Sequence, residues 1–285
     1  MIDVARLTAD TLRILPRKRI SRVLGRLADL RAPGPLLQRA IDLFVRSYDI
    51  DLSEAVVPPG GFKSFDEFFT RRLVEGARPI DLDPAAVVSP ADGRLEDLGE
   101  IDPDGTLLVK GRPYRVAELV DEPGAVAAYA GGSYFIVYLS PRDYHRVHAP
   151  ASGRVARVRH IPGTLFPVNS IGLEHVPRLF AVNERVAIVQ QTRFGELTTV
   201  MVGAIGVGRI SVSFDPEVHT NRGRSPGVRR YADGPPIERG AEIGVFHLGS
   251  TVIVFVPPHE GARFEVEAGS AVRVGQAVLR IGEGA

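Results

Sequence analysis

Phe246-His247-Leu248-Gly249-Ser250-Thr251-Val252-Ile253-Val254-Phe255 is the stretch on which the reading of this chain turns. Its second half, Thr251 to Phe255, is the β-branched and aromatic run of a buried strand. Three small residues, Gly249, Ser250 and Thr251, lie in its path, and a serine in such a place is ordinarily a small polar filler. Gly249, however, has no Cβ, so its carbonyl can be approached closely and its peptide plane can take angles that other residues resist. A hydroxyl directly after that carbonyl is a chemical arrangement. If a histidine removes the hydroxyl proton and an aspartate orients that histidine, Ser250 Oγ can attack the carbonyl of its own preceding residue. The chain would then be cut from within.

Around this strand lies a globular chain. Its 285 residues suffice for one or two domains, and a hydrophobic share of 44% with a net charge of +1 argues against disorder and against general nucleic-acid binding. The absence of cysteine removes disulfides, thiolate metal sites and cysteine nucleophiles from consideration. No apolar run approaches the roughly 20 residues that span a bilayer, and MIDVARLTAD lacks the basic start and apolar core of a signal peptide, so a cytosolic body is expected.

The N-terminal fifty residues differ from the rest. Ile20, Val23, Leu24, Leu27 and Leu30 recur at helical spacing with Arg19, Arg22 and Arg26 between them, and Leu37, Ala40, Ile41, Phe44 and Tyr48 form a second stripe. Two readings are open for these helices: packing on the core, or adsorption to an anionic membrane surface. Ser64 and Glu67 have capping-box spacing ahead of Phe68, Phe69 and Leu73, which predicts a helix running toward Gly76. From Val87 onward short β-rich runs alternate with Gly, Pro and Asp turns. PADGRLEDLG, APASGRVARV and EAGSAVRVGQAVLRIG resemble the half-units of biotinyl- and lipoyl-carrier barrel-sandwich folds. The expected architecture is therefore α+β, with an N-terminal helical region over residues 1–80 and a mainly β domain over 81–285.

The residues able to do chemistry are few. His145 and His148 sit together in SPRDYHRVH, where Ser140 as N-cap and Pro141 at the first helical position predict a short helical turn that puts both on one face. An HxxH pair can be structural, a metal half-site or an acid–base pair, but no nearby carboxylate has helical ligand spacing. Asp92 lies in Ser89-Pro-Ala-Asp-Gly93, where Asp-Gly is first of all a turn signal. The glycines of Gly203 to Gly208 lack the following helix of a dinucleotide loop and read as glycines within or between strands.

Taken together the motifs resemble one family. SFDEFFTRRL with ARPID, SPADGRL, YLSPRDYHRVHAP, LFPVN, LFAVNERV, VGAIGVG and LGST occur in one order from about residue 36 to the C-terminus. The chain is similar to the bacterial, membrane-associated, pyruvoyl-dependent phosphatidylserine decarboxylases. The resemblance implies that Ser250 cleaves the chain after Gly249 and becomes the pyruvoyl N-terminus of a small chain, 250–285, held to a large chain, 1–249. It implies a relay of Asp92, His148 and Ser250, and assigns His145 to decarboxylation of the substrate. The implied route runs through an ester and dehydroalanine to a ketone with loss of ammonia. That ketone forms a Schiff base with phosphatidylserine and yields phosphatidylethanolamine and carbon dioxide, with no metal and no pyridoxal phosphate. The lysines, Lys18, Lys63 and Lys110, sit in no obvious phosphate-binding frame, in keeping with a route without pyridoxal phosphate.

The same resemblance implies a peripheral enzyme at the cytoplasmic face of the membrane and a homodimer. It also reweights residues 18–48, and with them the Phe62, Phe65, Phe68 and Phe69 cluster, toward lipid contact. The chain departs from several relatives at Pro167, where they carry a serine, so a proton supplied there must come from His145, water or another group. Two rival readings are an ordinary serine hydrolase using Asp92, His148 and Ser250, which lacks a GxSxG elbow, and a non-catalytic membrane-binding β module. Both require an unbroken chain.

Overall fold

The run Thr251 to Phe255 carries no polar alternation because both of its faces are covered. In the computed structural model, which describes residues 17–31, 34–205, 209–220, 227–247 and 250–282, the strand Ser250–Val256 lies inside a nine-stranded sheet. Residues 1–16, Gly206 to Gly208, Leu248 and Gly249 lie outside the described set, and Ser250 is described by its backbone alone.

Ser250–Val256 pairs antiparallel with Ser133–Leu139 on one side and Gly195–Gly203 on the other. The sheet continues outward through Gly93–Glu100 and Ala271–Val272 at one end, and through Arg185–Thr192, Gly153–Ile161 and Val228–Arg230 at the other. Side chains alternate across a strand. Val252, Val254 and Val256 therefore enter one core with Phe135 and Val137, while Ile253 and Phe255 enter a second with Tyr134 and Ile136.

Each core has its own cover. The first is closed by two small sheets: Asp215–His219, Arg209–Val212, Glu242–His247 and Arg146–His148 in one, and Ala86–Val88, Ala277–Arg280 and Arg263–Phe264 in the other. The second is closed by the hairpin Thr106–Val109 and Arg112–Arg115 and by short helices contributing Leu119, Tyr129, Leu173 and Phe180. The chain is thus mainly β with a few helices, an α+β arrangement whose strand orders run as open paths.

The first N-terminal helix packs in a way its stripe did not predict, whereas the second follows its stripe at Leu37, Ile41 and Phe44. Helix Arg17–Asp29 buries Ser21, Gly25 and Ala28, and leaves Val23, Leu24, Leu27 and neighbouring Leu30 facing out. Small residues let it lie close against the helix Phe65–Phe69, and the larger apolar side chains are excluded from that seam. In helix Gly34–Tyr48, Leu37 and Ile41 are buried against Phe62, Phe68 and Phe69, while Leu36 and Leu43 are exposed. The phenylalanine cluster is therefore packed inside, contrary to the expectation of lipid contact there: Phe62, Phe68 and Phe69 are buried and Phe65 half-buried.

The Ser64 cap forms, with Ser64 Oγ accepting from the Glu67 amide at 3.1 Å and the Glu67 carboxylate accepting from the Lys63 amide. The helix stops at Phe69, earlier than the sequence pattern suggests. Thr70 Oγ1 donates to the Asp66 carbonyl, and the Thr70 carbonyl accepts from Arg146 Nε, so tertiary partners replace the next helical turn.

One buried amide links three of the sequence motifs. Asn183 Oδ1 accepts from the Phe166 amide at 2.9 Å, and its Nδ2 donates to the carbonyls of Phe166 at 2.9 Å and Gly203 at 3.0 Å. Gly203 is the registered neighbour of Ser250. Truncation in Asn183→Ala strands buried backbone groups and is expected to cost about 3 kcal/mol, measured as a shift in the denaturant midpoint.

Candidate active site

The sheet brings the chemical motifs to one end. Ser250 stands in register with Leu139, which opens into the Ser140 to His148 segment, and with Gly203. On the far side of Ser133–Leu139, Arg94 pairs with Tyr138, which brings Asp92 and Gly93 to the same end. Gly93 is required sterically, because a Cβ there would lie 2.3 Å from the Tyr138 carbonyl oxygen. The Asp-Gly pair is thus the entry to a strand pressed against its neighbour. A cleft of about 690 Å³ opens here, lined among others by Asp92, Tyr138, Tyr144, Arg71 and Arg142.

The two histidines do not share a helical face. Ser140 to Asp143 form a tight turn and Arg146–His148 is a strand, because the Asp143 carboxylate folds back to accept from both the amide and the hydroxyl of Ser140. His145 and His148 are consequently sent to different surroundings, which removes the basis for reading them as a metal half-site.

His148 is set up as a base. Its Nδ1 lies 2.7 Å from the Gly240 carbonyl and so carries the proton, leaving Nε2 to accept from the Tyr144 hydroxyl at 3.1 Å. Burial pushes its pKa down, so the ring is held neutral. The Pro90 carbonyl accepts the His148 amide at 2.8 Å, so the SPADG segment braces this histidine through its backbone.

Asp92 has another partner. Its carboxylate accepts from Arg78 Nε and Nη2 and from the Val274 amide at 2.9 Å, so it does not hydrogen-bond His148 directly as the relay requires. Arg78 also donates to Glu54 at 2.7 Å. Although burial works against its charge, these carboxylates hold the guanidinium above its usual range. The orienting group on His148 is Gly240, a backbone carbonyl that no side-chain motif could reveal. Arg78 and Tyr144 were visible within ARPID and SPRDYH, yet residue type alone did not assign them partners.

His145 is fully buried, with its ring 4.1 Å from that of Phe69. Its Nδ1 lies 2.8 Å from the Asp143 carbonyl and donates to it, while Nε2 has no hydrogen-bond partner. Burial pushes its pKa down to about 3. Nearby, Arg71 Nη2 donates to the Arg142 carbonyl, while its buried Nε and Nη1 make no hydrogen bond. Thr251 Oγ1, directly after Ser250, is also buried without one. Unpaired polar atoms of this kind are uncommon in interiors; Gln190, Thr199 and Arg209 carry one each as well.

The depressed His145 pKa has a consequence for stability. Folding favours the neutral ring, so its contribution is complete above the unfolded value near pH 6.5 and is lost as pH falls toward about 3. His145→Gln should therefore flatten the fall in melting temperature across that window, as read by circular dichroism at a series of pH values.

Known proteins with related sequences can now be set beside this geometry. The sequence model of the family described as phosphatidylserine decarboxylase matches residues 65–280. A phosphatidylserine decarboxylase proenzyme of Anaeromyxobacter sp. (strain K) is 40% identical over 280 residues, 98% of this chain and 97% of that one. The proenzyme of the same name from Myxococcus xanthus is 40% identical over 247 residues, covering 87% and 88% of the two chains. That of Bordetella petrii is 42% identical over 249 residues, covering 85% and 86%. The matched span takes in the Phe65–Phe69 helix, Asp92, both histidines and the strand that begins at Ser250, and the chain belongs to the phosphatidylserine decarboxylase family.

Proposed function

We propose that this chain decarboxylates phosphatidylserine to phosphatidylethanolamine, using a pyruvoyl group that it makes from Ser250 by cutting itself after Gly249. The observation that carries this reading is the arrival of Asp92 and Gly93, the start of the Ser140 to His148 segment, Gly203 and the start of the Ser250–Val256 strand at one sheet end, where Asp92, Ser140, Asp143 and Tyr144 line a cleft. In the first step the Ser250 hydroxyl gives its proton to His148 Nε2 as its oxygen adds to the Gly249 carbonyl. The C–N bond then breaks, leaving an ester and a free amine on residue 250. Gly240 keeps His148 in the tautomer this needs. Asp92 acts on it at a distance as a negative charge that favours the protonated ring.

The surroundings suit a ketone at position 250. The strand that begins there is hydrogen-bonded on both sides, so a new N-terminus would stay in place, and the next residue, Thr251, has a buried hydroxyl without a partner. When present, the pyruvoyl group supplies a carbonyl that takes up the substrate amine and draws the electrons released as carbon dioxide leaves. The protein binds the head group. Arg71 and Arg142 at the cleft suit its phosphodiester and carboxylate. His145, whose unprotonated Nε2 has no partner, keeps in this reading the part in substrate decarboxylation that the resemblance implies.

The lipid tails require a surface. No helix among the described residues is long and apolar enough to cross a membrane. The outward face of Arg17–Asp29 combines Val23, Leu24 and Leu27 with Arg19, Arg22 and Arg26, which suits an anionic interface, where each basic residue near the surface adds about 1 kcal/mol. We take the enzyme to sit peripherally on the cytoplasmic face, as a homodimer. The barrel-sandwich likeness belongs to the same reading and is supported by the antiparallel pairing of Gly93 and Arg94 with Val272 and Ala271.

Intact-mass analysis tests the central claim. Two chains, residues 1–249 and a ketone-bearing 250–285, are expected together with release of carbon dioxide from phosphatidylserine vesicles. Ser250→Ala is expected to give one uncut, inactive chain; an active preparation with an intact serine would refute the proposal. For the membrane claim, Leu24→Ser with Leu27→Ser should lower flotation with anionic liposomes at least about tenfold, since two apolar side chains are removed from the interface.

A further inference from the structure

Three places before Ser250 stands His247, the hub of a charge cluster that the chemistry above does not use. Its Nδ1 lies 2.8 and 3.0 Å from the two Asp66 carboxylate oxygens, and its Nε2 lies 3.0 Å from Ser211 Oγ. Arg209 Nη2 is 2.8 Å from Asp66 Oδ2, and the same guanidinium grips Asp29 through Nη1 at 2.8 Å and Nη2 at 3.0 Å. Arg209 Nη2 also approaches His247 Nδ1 to 2.6 Å. That nitrogen cannot both donate to Asp66 and accept from Arg209. The paired carboxylate settles the matter: Nδ1 carries the proton, Ser211 donates to Nε2, and Arg209 is held by two carboxylates.

Each member comes from a different element. Asp29 ends the helix Arg17–Asp29, Asp66 lies in the helix Phe65–Phe69, and Arg209 opens the strand that is in register with His247 at the end of Glu242–His247. His247 belongs to the four-stranded sheet and Ser250 to the nine-stranded one. Only residues 248 and 249 join them. The amino side of that span is held by the charge cluster, and the carboxyl side by the paired strands at Ser250 and Thr251.

We propose that the Asp66–His247–Arg209–Asp29 cluster is a positioning clamp for self-cleavage, and that the N-terminal helix is one of its jaws. An attack of Ser250 Oγ on the Gly249 carbonyl requires the two atoms to be held in near-attack geometry, and a displacement of about 1 Å can cost on the order of 100-fold in rate. With both ends of a two-residue span fixed, few backbone conformations remain. Releasing the His247 end multiplies them and dilutes the reactive one. The hydrogen bonds of the clamp given above run among its own members and Ser211 and not to His148, the base; they act by fixing the chain on which the reacting carbonyl sits.

This inference rests on the self-cleavage reading, and one time course distinguishes the two. The full chain is made by cell-free synthesis, and cleavage is followed by gel and intact mass, with hydroxylamine added to release any ester. Asp66→Asn and His247→Ala should slow cleavage about tenfold or more without ester accumulating, because the slowed step is ester formation. Asp66→Glu, which keeps the carboxylate, should recover to within about threefold of the parent, and Asp29→Asn should slow cleavage about three- to fivefold. The same substitutions in a Ser250→Ala chain should retain its circular dichroism spectrum. Variants that cleave at the parental rate, or whose loss of cleavage follows loss of the folded spectrum, would overturn the clamp alone. A parent chain that never cleaves would overturn the self-cleavage reading as well.

Discussion

The structure depends on the double-sided pairing of Ser250–Val256, a strand held by backbone hydrogen bonds from both neighbours and buried on both faces. A chain segment in that position can exchange little of its geometry with solvent. Every apolar side chain from Val252 to Val256 is committed to one of two cores, and a slip of one residue would exchange the two sets. The first residue of this strand is therefore placed by the whole sheet. A reactive group there inherits the rigidity of the core, which few loop positions could provide.

Several buried groups lack hydrogen-bond partners. His145 has a free ring nitrogen, Arg71 has two unsatisfied nitrogens, and Thr251 has an unsatisfied hydroxyl. Burying such groups unpaired costs stability, commonly about 1–3 kcal/mol each. Folds tolerate that cost where a function uses the group, and the surrounding structure must overdetermine it. Here the determination comes from Phe69 against His145, from the Asp143 turn, and from the Pro90 and Gly240 carbonyls that fix His148.

Electrostatic connections run outward from this site to the N-terminus. Arg78 ties Asp92 to Glu54, Arg146 ties the His148 strand to Glu242 and the Thr70 carbonyl, and Arg209 ties Asp29 and Asp66 together beside His247. Arginine suits these posts because its planar fork engages two acceptors at once. The aromatic cluster of the N-terminal region also makes contact across the boundary expected near residue 80. Phe69 crosses that line to reach His145.

Much was legible in the amino-acid order by itself. Periodicity and turn residues revealed the β character, Ser64 and Glu67 announced a helix start, and the ordered motifs pointed to the family. These are local signals, set by propensity and spacing. Three things were decided only by tertiary structure. The SPRDYH segment was pulled from a helical turn into a turn and strand by the Asp143 carboxylate and sheet pairing; the apolar stripe of Arg17–Asp29 was turned outward by a small-residue seam; and Asp92 was claimed by Arg78 before it could meet His148. For Asp92 the deciding partner, Arg78, lies in another segment, and for His148 it is a backbone group without identity in the sequence, the Gly240 carbonyl. Residue types state which bonds can form; only the packed chain selects among competing partners, because burial makes an unmet charge or donor too costly to leave unresolved.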